Sequence, residues 1–157
     1  MSNGPEQDSP EAALDKRHLT AGSFPRRPAT VTSAVLAAML RGKQLTGLDA
    51  VTGASTTRLS DVVYRLDRQY DWTIQRRDMA AGTCDGRIAW VTCYWLGEAT
   101  IAAAFDRGAA AWIESVAQAR ADQRQEVGKC RLIAARRNQI RLADPRQESL
   151  FEARYGN

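Results

Sequence analysis

The chain has 157 residues, 44% of them apolar and 25% charged, and a formal net charge of +4, which suits one small domain with an accessory segment. Its three cysteines (84, 93 and 130) form no CxxC pair and there is one His, which excludes a convincing zinc site and argues against a disulfide framework. No apolar run approaches the ~18–20 residues of a membrane span and the N-terminus lacks an apolar signal core, so no membrane partner and a cytoplasmic, nucleoid-associated location are expected.

Residues 1–31 hold four of the five prolines and little apolar material, and are expected to form a flexible tail. Arg26-Arg27 within it suits either a phosphate contact or an ordinary solvated linker.

Residues 32–97 read as three helices and a hairpin. In the first helix, from Ser33 to Leu40, Val35, Leu36, Met39 and Leu40 define one apolar face, with Gly42 as the stop. Gln44-Leu45 suits a short strand. Thr46 caps a second, very short helix whose Leu48 and Val51 are expected to face inward, and Gly53 is expected to supply a left-handed turn residue.

The third helix, from about Ser55 to Gln69, repeats Leu59, Val62, Val63, Leu66 and Tyr70 on one stripe, which should face the core. Its other side carries Thr57, Asp61, Tyr64 and Arg68, flanked by Arg58, Ser60 and Arg65, with Ser55 and Thr56 at its start. A solvated helix would also be polar there, but richer in Glu and Lys. Arg pairs with guanine edges, and Ser and Thr serve bases or phosphates, so these nine positions suit a groove reader.

The stretches 72–79 and 87–96 are β-like, rich in Trp, Ile, Val, Thr and Tyr. The turn between them contains Gly82 and Gly86, and Arg76, Arg77 and Arg87 flank it, which suits either a backbone-gripping wing or a hairpin with solvating arginines. The second strand is apolar on both alternating faces and therefore needs cover. All four Trp (72, 90, 95 and 112) lie in or just after the hairpin, so the core is expected there.

From Glu98 to about Glu126 the pattern is one long Ala-rich helix, with a bend or close approach at Gly108. Its stripe of Ile101, Phe105, Ala109, Trp112, Ile113 and Val116 is expected to pack on the hairpin or on a second subunit. Of these, Ile101, Phe105, Trp112 and Val116 are the expected homodimer interface. A basic helix follows, with Lys129, Arg131, Arg136, Arg137 and Arg141 among Leu132, Ile133, Ile140 and Leu142, suited to phosphate or to a solvated face. Charge is uneven: residues 1–31 are neutral, 32–97 carry +2, 98–127 carry −2 and 128–157 carry +4.

The run Val35-Leu36, then Leu45-Thr46-Gly47-Leu48-Asp49-Ala50, then residues 57–66 and Trp72-Thr73-Ile74, closing on Tyr94-Trp95-Leu96, resembles a winged helix-turn-helix family of phages and mobile elements. Members show a Leu-Thr-x-x-Glu-Ala second helix and an Arg-Leu-Ala-Ala-Arg-Ile-x-x-Leu third helix. Here Asp49 replaces the Glu, Ser60-Asp61 replace the Ala pair and Val62 replaces an Arg. An acid at Asp61 would repel phosphate or accept from a cytosine amino group. The resemblance spans residues 35–96 and implies sequence-specific binding of double-stranded DNA.

The expected fold is thus α+β, mostly α: a flexible tail (1–31), a winged helix-turn-helix (32–97) and a C-terminal helical segment (98–157) for dimerisation and a basic helix. The expected function is a dimeric transcriptional regulator that binds double-stranded DNA. The alternative is a protein-interaction module that keeps the fold without reading bases. No catalytic motif is present, His18 lies in the expected tail, and Cys84 suits an exposed, unreactive thiol, so neither catalysis nor a cofactor is expected.

Overall fold

The protein is represented by a computed structural model that describes residues 22–83 and 85–143. Within them the chain is α+β and mostly helical, with six helices and one two-stranded antiparallel hairpin. Residues 1–21, His18 and Cys84 lie outside the described residues.

At the centre is α1 (Val31–Leu40), begun by Thr30, whose hydroxyl accepts from the Ser33 amide at 3.2 Å. Thr32, Ser33, Val35, Leu36, Ala37, Met39 and Leu40 are all buried. The helix is therefore enclosed nearly all round, not on the single face expected. Ser33 is tolerated inside because its hydroxyl donates to the Arg27 carbonyl at 2.7 Å. Burial of Leu36, Met39 and Leu40 contributes ~1.5–3 kcal/mol each. The core centres on this helix rather than on the hairpin.

Thr46 caps α2 (Gly47–Ala54) through a capping box: the Asp49 carboxylate accepts from the Thr46 amide at 2.8 Å. The buried residues of α2 are Ala50 and Ala54. Leu48 (74% exposed) and Val51 (43%) face outward, against expectation, because the two alanines occupy the contact side. Ser55, at φ 58°, is the left-handed residue that ends α2, and Gly53 lies inside the helix. Four residues, 55–58, then lead into α3 (Leu59–Tyr70), which starts later than expected. Its stripe is as read: Leu59, Val62 and Leu66 are buried, while Val63 and Tyr70 pack partly against the core.

After the left-handed Asp71, Trp72 is fully buried. Then β1 (Ile74–Gly82) pairs antiparallel with β2 (Ile88–Leu96), from Ile74 opposite Leu96 to Gly82 opposite Ile88. Leu45 forms a single bridge to Tyr94, with amide–carbonyl bonds of 2.8 and 2.9 Å, on the edge of β2 away from β1. Helices α1 and α2 pack against β2, and α1 and α2 each pack against α3.

The expected long helix is two helices, α4 (Glu98–Asp106) and α5 (Ala109–Gln125). Gly108 at φ 91° lies in the left-handed region, which breaks the helix instead of bending it.

Residues 22–30, expected to belong to the flexible tail, instead pack on the core. The Ser23 amide donates to the Tyr70 carbonyl at 2.7 Å, and the Trp72 indole donates to the Ser23 carbonyl at 2.8 Å. Phe24 lies between Trp72 and Trp112, with ring centroids 5.6 and 5.1 Å away. Gly22 is pressed so closely on the Tyr70 carbonyl and Trp72 that no side chain fits there. Trp112 seals this region by donating to the Pro25 carbonyl at 3.2 Å.

The chain divides into two compact units, 1–118 and 119–157. The first contains the elements above, with α4 and the buried Ala109, Ile113 and Val116 of α5. The second unit contains the last turns of α5 and α6 (Val127–Leu142), in which no residue is buried. Among the described residues, no helix is long and apolar enough to cross a membrane.

Candidate nucleic-acid interface

Because Leu59, Val62 and Leu66 turn inward, the 3.6-residue period sends Ser60, Asp61, Tyr64, Asp67 and Arg68 outward on α3. Tyr64 is 64% exposed. The Arg68 guanidinium lies over its ring, 5.9 Å from the centroid. Asp61 accepts from Arg65 at 2.8 Å, and Asp67 lies 3.8 Å from Arg68. Arg65 is half-buried and also donates to the Thr32 hydroxyl at 3.4 Å. The two acids and two arginines balance, so this face carries no net charge. Asp67 was not singled out from sequence, although its position between Tyr64 and Arg68 places it on the same face.

Ser55, Thr56, Thr57 and Arg58 form the turn before α3 rather than its first turn. Thr56 is spent on structure: its amide donates to the Ala50 carbonyl and its hydroxyl accepts from the Arg58 amide at 3.1 Å. Arg58 stands at the N-cap of α3 without a side-chain cap bond, and its side chain is exposed. Ser55 and Thr57 are exposed as well.

On the hairpin the three arginines have different surroundings. Arg76 and Arg77 sit opposite Tyr94 and Cys93, toward the base, since the strands run on to Gly82. They do not flank the tip. Arg77 lies over the Trp95 ring at 5.8 Å. Arg87 is at the tip and donates to Asp85 at 2.6 Å, while Thr83 donates to the other Asp85 oxygen at 2.5 Å. The Thr83 hydroxyl, and then Arg87, hold the Asp85 carboxyl below its ordinary range.

Among the described residues, nothing provides the outer half of the hairpin with the cover expected for its two-sided apolar strand. Ile88 is 79% exposed and Trp90 75% exposed, on the same face, two residues apart. The base of the strand is covered: Cys93 and Leu96 are buried.

The residues expected at a dimer interface are mostly covered within the chain. Val116 is buried, Ile101 packs partly against the core, and Trp112 is held by Phe24 and Pro25. Phe105, 45% exposed, is the exception.

Among the described residues, no group of three or more His, Cys, Asp or Glu is placed to hold a metal ion. No protein-family model matches the chain, and no curated protein matches it.

Proposed function

We propose that residues 32–97 form a winged helix-turn-helix that binds double-stranded DNA and serves a regulatory role, with α3 as the reading helix. The observation that carries this reading is the arrangement around α3. A short helix, a four-residue turn and a second helix bury Leu59, Val62 and Leu66 and leave Ser60, Tyr64 and Arg68 exposed. The Leu45 bridge on one side of β2 and β1 on the other supply the small sheet such a domain uses. Direct base contacts would come from Arg68, Tyr64 and Ser60, and phosphate contacts from Arg58, Arg76 and Arg77.

The exposed Ile88 and Trp90 favour a second reading, in which the hairpin contacts a protein partner. Fluorescence anisotropy of the full chain with a labelled duplex, across a salt series, separates the two. Binding with a steep negative dependence on salt supports the DNA reading, and no binding at low salt supports the partner reading.

A further inference from the structure

Helix α6 has a charge pattern that neither the reading helix nor the hairpin uses. Its 16 residues include Lys129, Arg131, Arg136, Arg137 and Arg141 and no carboxylate. None of its residues is buried, and Leu132 (74%), Ile140 (65%) and Leu142 (77%) stand exposed among the cations. Lys129 pairs with Glu126 at 3.2 Å. Among the described residues the four arginines have no carboxylate partner. We propose that α6 is a second binding element for double-stranded DNA, gripping the phosphate walls of a groove without reading sequence.

The distribution around the helix selects this ligand. At about 100° per residue, Lys129 and Arg136 share one side, Arg137 and Arg141 a second, and Arg131 a third. A helix lying on an anionic lipid surface needs its apolar residues on one face and its cations on the other. Here Leu132, Ile133, Ile140 and Leu142 fall between the basic strips. Pairing with α6 of a second copy needs a continuous apolar seam and would set five cations against five.

A DNA groove makes the opposite demand. The major groove is ~12 Å wide, close to the ~10–12 Å diameter of a helix, so a helix inside it meets phosphates on two walls. Cations on several sides, with alkyl side chains between them against sugars and thymine methyls, suit that enclosure. Binding would also relieve the mutual repulsion of five cations in a helix near the length at which isolated helices are marginal. This inference stands whether or not α3 reads bases.

The test uses the full chain and a random-sequence duplex about three helical turns long, titrated across KCl. Three proteins are compared: wild type, an α6 variant with Arg131→Gln, Arg136→Gln, Arg137→Gln and Arg141→Gln, and an α3 variant with Arg58→Ala and Arg68→Ala. Gln retains helix propensity. The α6 variant should bind every sequence roughly tenfold or more weakly at low salt, with a log–log slope shallower by about 2–4. The α3 variant should keep an α6-dependent slope. An unchanged slope in the α6 variant overturns the inference. So does tighter wild-type binding to phosphatidylserine-containing vesicles than to the duplex. Thermal unfolding should be the same for wild type and the α6 variant, and a lowered midpoint would place α6 in a core and overturn it too. Failure of the α3 reading shows separately, as sequence preference that survives in the α3 variant.

Discussion

Asp61 and Arg65, one turn apart on α3, form a 2.8 Å ion pair on the helix face proposed to meet DNA. Both side chains are substantially exposed, so the pair contributes only ~0.3–0.5 kcal/mol to the fold. If α3 meets DNA as proposed, the larger effect would be on binding: Asp61 would place negative charge where phosphate approaches and hold Arg65 away from it. Asp61→Asn should strengthen binding to any duplex and steepen the salt dependence by up to about 0.9, measured by anisotropy. Weaker binding restricted to duplexes with one cytosine position would instead assign Asp61 to a cytosine amino group.

The hairpin arginines should differ from one another. Arg87 is committed to Asp85, whereas Arg76 is exposed near the base and Arg77 lies over Trp95. Arg76→Ala and Arg77→Ala should each flatten the salt dependence by up to about 0.9, and Arg87→Ala by less. Asp85→Asn, which releases Arg87, should strengthen binding. Equal slopes in all four variants would show that the hairpin does not touch DNA.

Apart from Phe105, the stripe on α4 and α5 is covered within the chain. Trp112 stacks on Phe24 and donates to Pro25, so its removal should unfold the first unit rather than dissociate an assembly. Trp112→Ala should cost about 3 kcal/mol in chemical denaturation, near the low end for large core truncations because the ring is only partly buried. Light scattering of the free wild type at micromolar concentration should give a monomer. A stable dimer that Trp112→Ala dissociates without loss of folding would restore the interface expected from sequence.

Acid should loosen the start of α2. The Asp49 carboxyl is held below its ordinary range first by the Thr46 hydroxyl and then by the Thr46 amide. A carboxylate with a lowered folded pKa contributes stability that is present above the unfolded value of about 3.9 and lost as pH falls through the folded value. Stability should therefore be level from neutrality to mildly acidic pH and fall below it, and Asp49→Ala should remove part of that fall. At pH 7 the same variant should be less stable by ~0.5–1 kcal/mol, the scale of a lost exposed cap. Urea titrations at several pH values measure both.

The parts of the fold governed by local rules were legible in the sequence. The Leu59–Tyr70 stripe, the Thr46 cap, the Gly42 stop and the hairpin follow from periodicity, capping and turn chemistry. The errors lie where tertiary contact decides. Gly53 is a more obvious left-handed residue than Ser55, yet the end of α2 falls at Ser55. Leu48 and Val51 are more apolar than Ala50 and Ala54, but the alanines are the residues that α2 buries. Phe24 sits in a proline-rich stretch with no periodicity, and its partners Trp72 and Trp112 are far along the chain. Four tryptophans suggested a core at the hairpin, whereas Trp90 is exposed because its position in β2 is distal. The neutrality of the α3 face, by contrast, follows from the helical period, which places Asp67 on it beside Arg68.

The central claim is that the exposed face of α3 reads base pairs, and selection of bound duplexes from a random library by the full-length chain tests it most directly. Wild type should enrich a short motif, and a Ser60→Ala, Tyr64→Ala, Arg68→Ala variant should still bind DNA while losing that motif. Each lost base contact should amount to ~1–3 kcal/mol of discrimination. Enrichment of no motif by wild type, or of the same motif by the variant, would contradict the assignment of α3 as the reader.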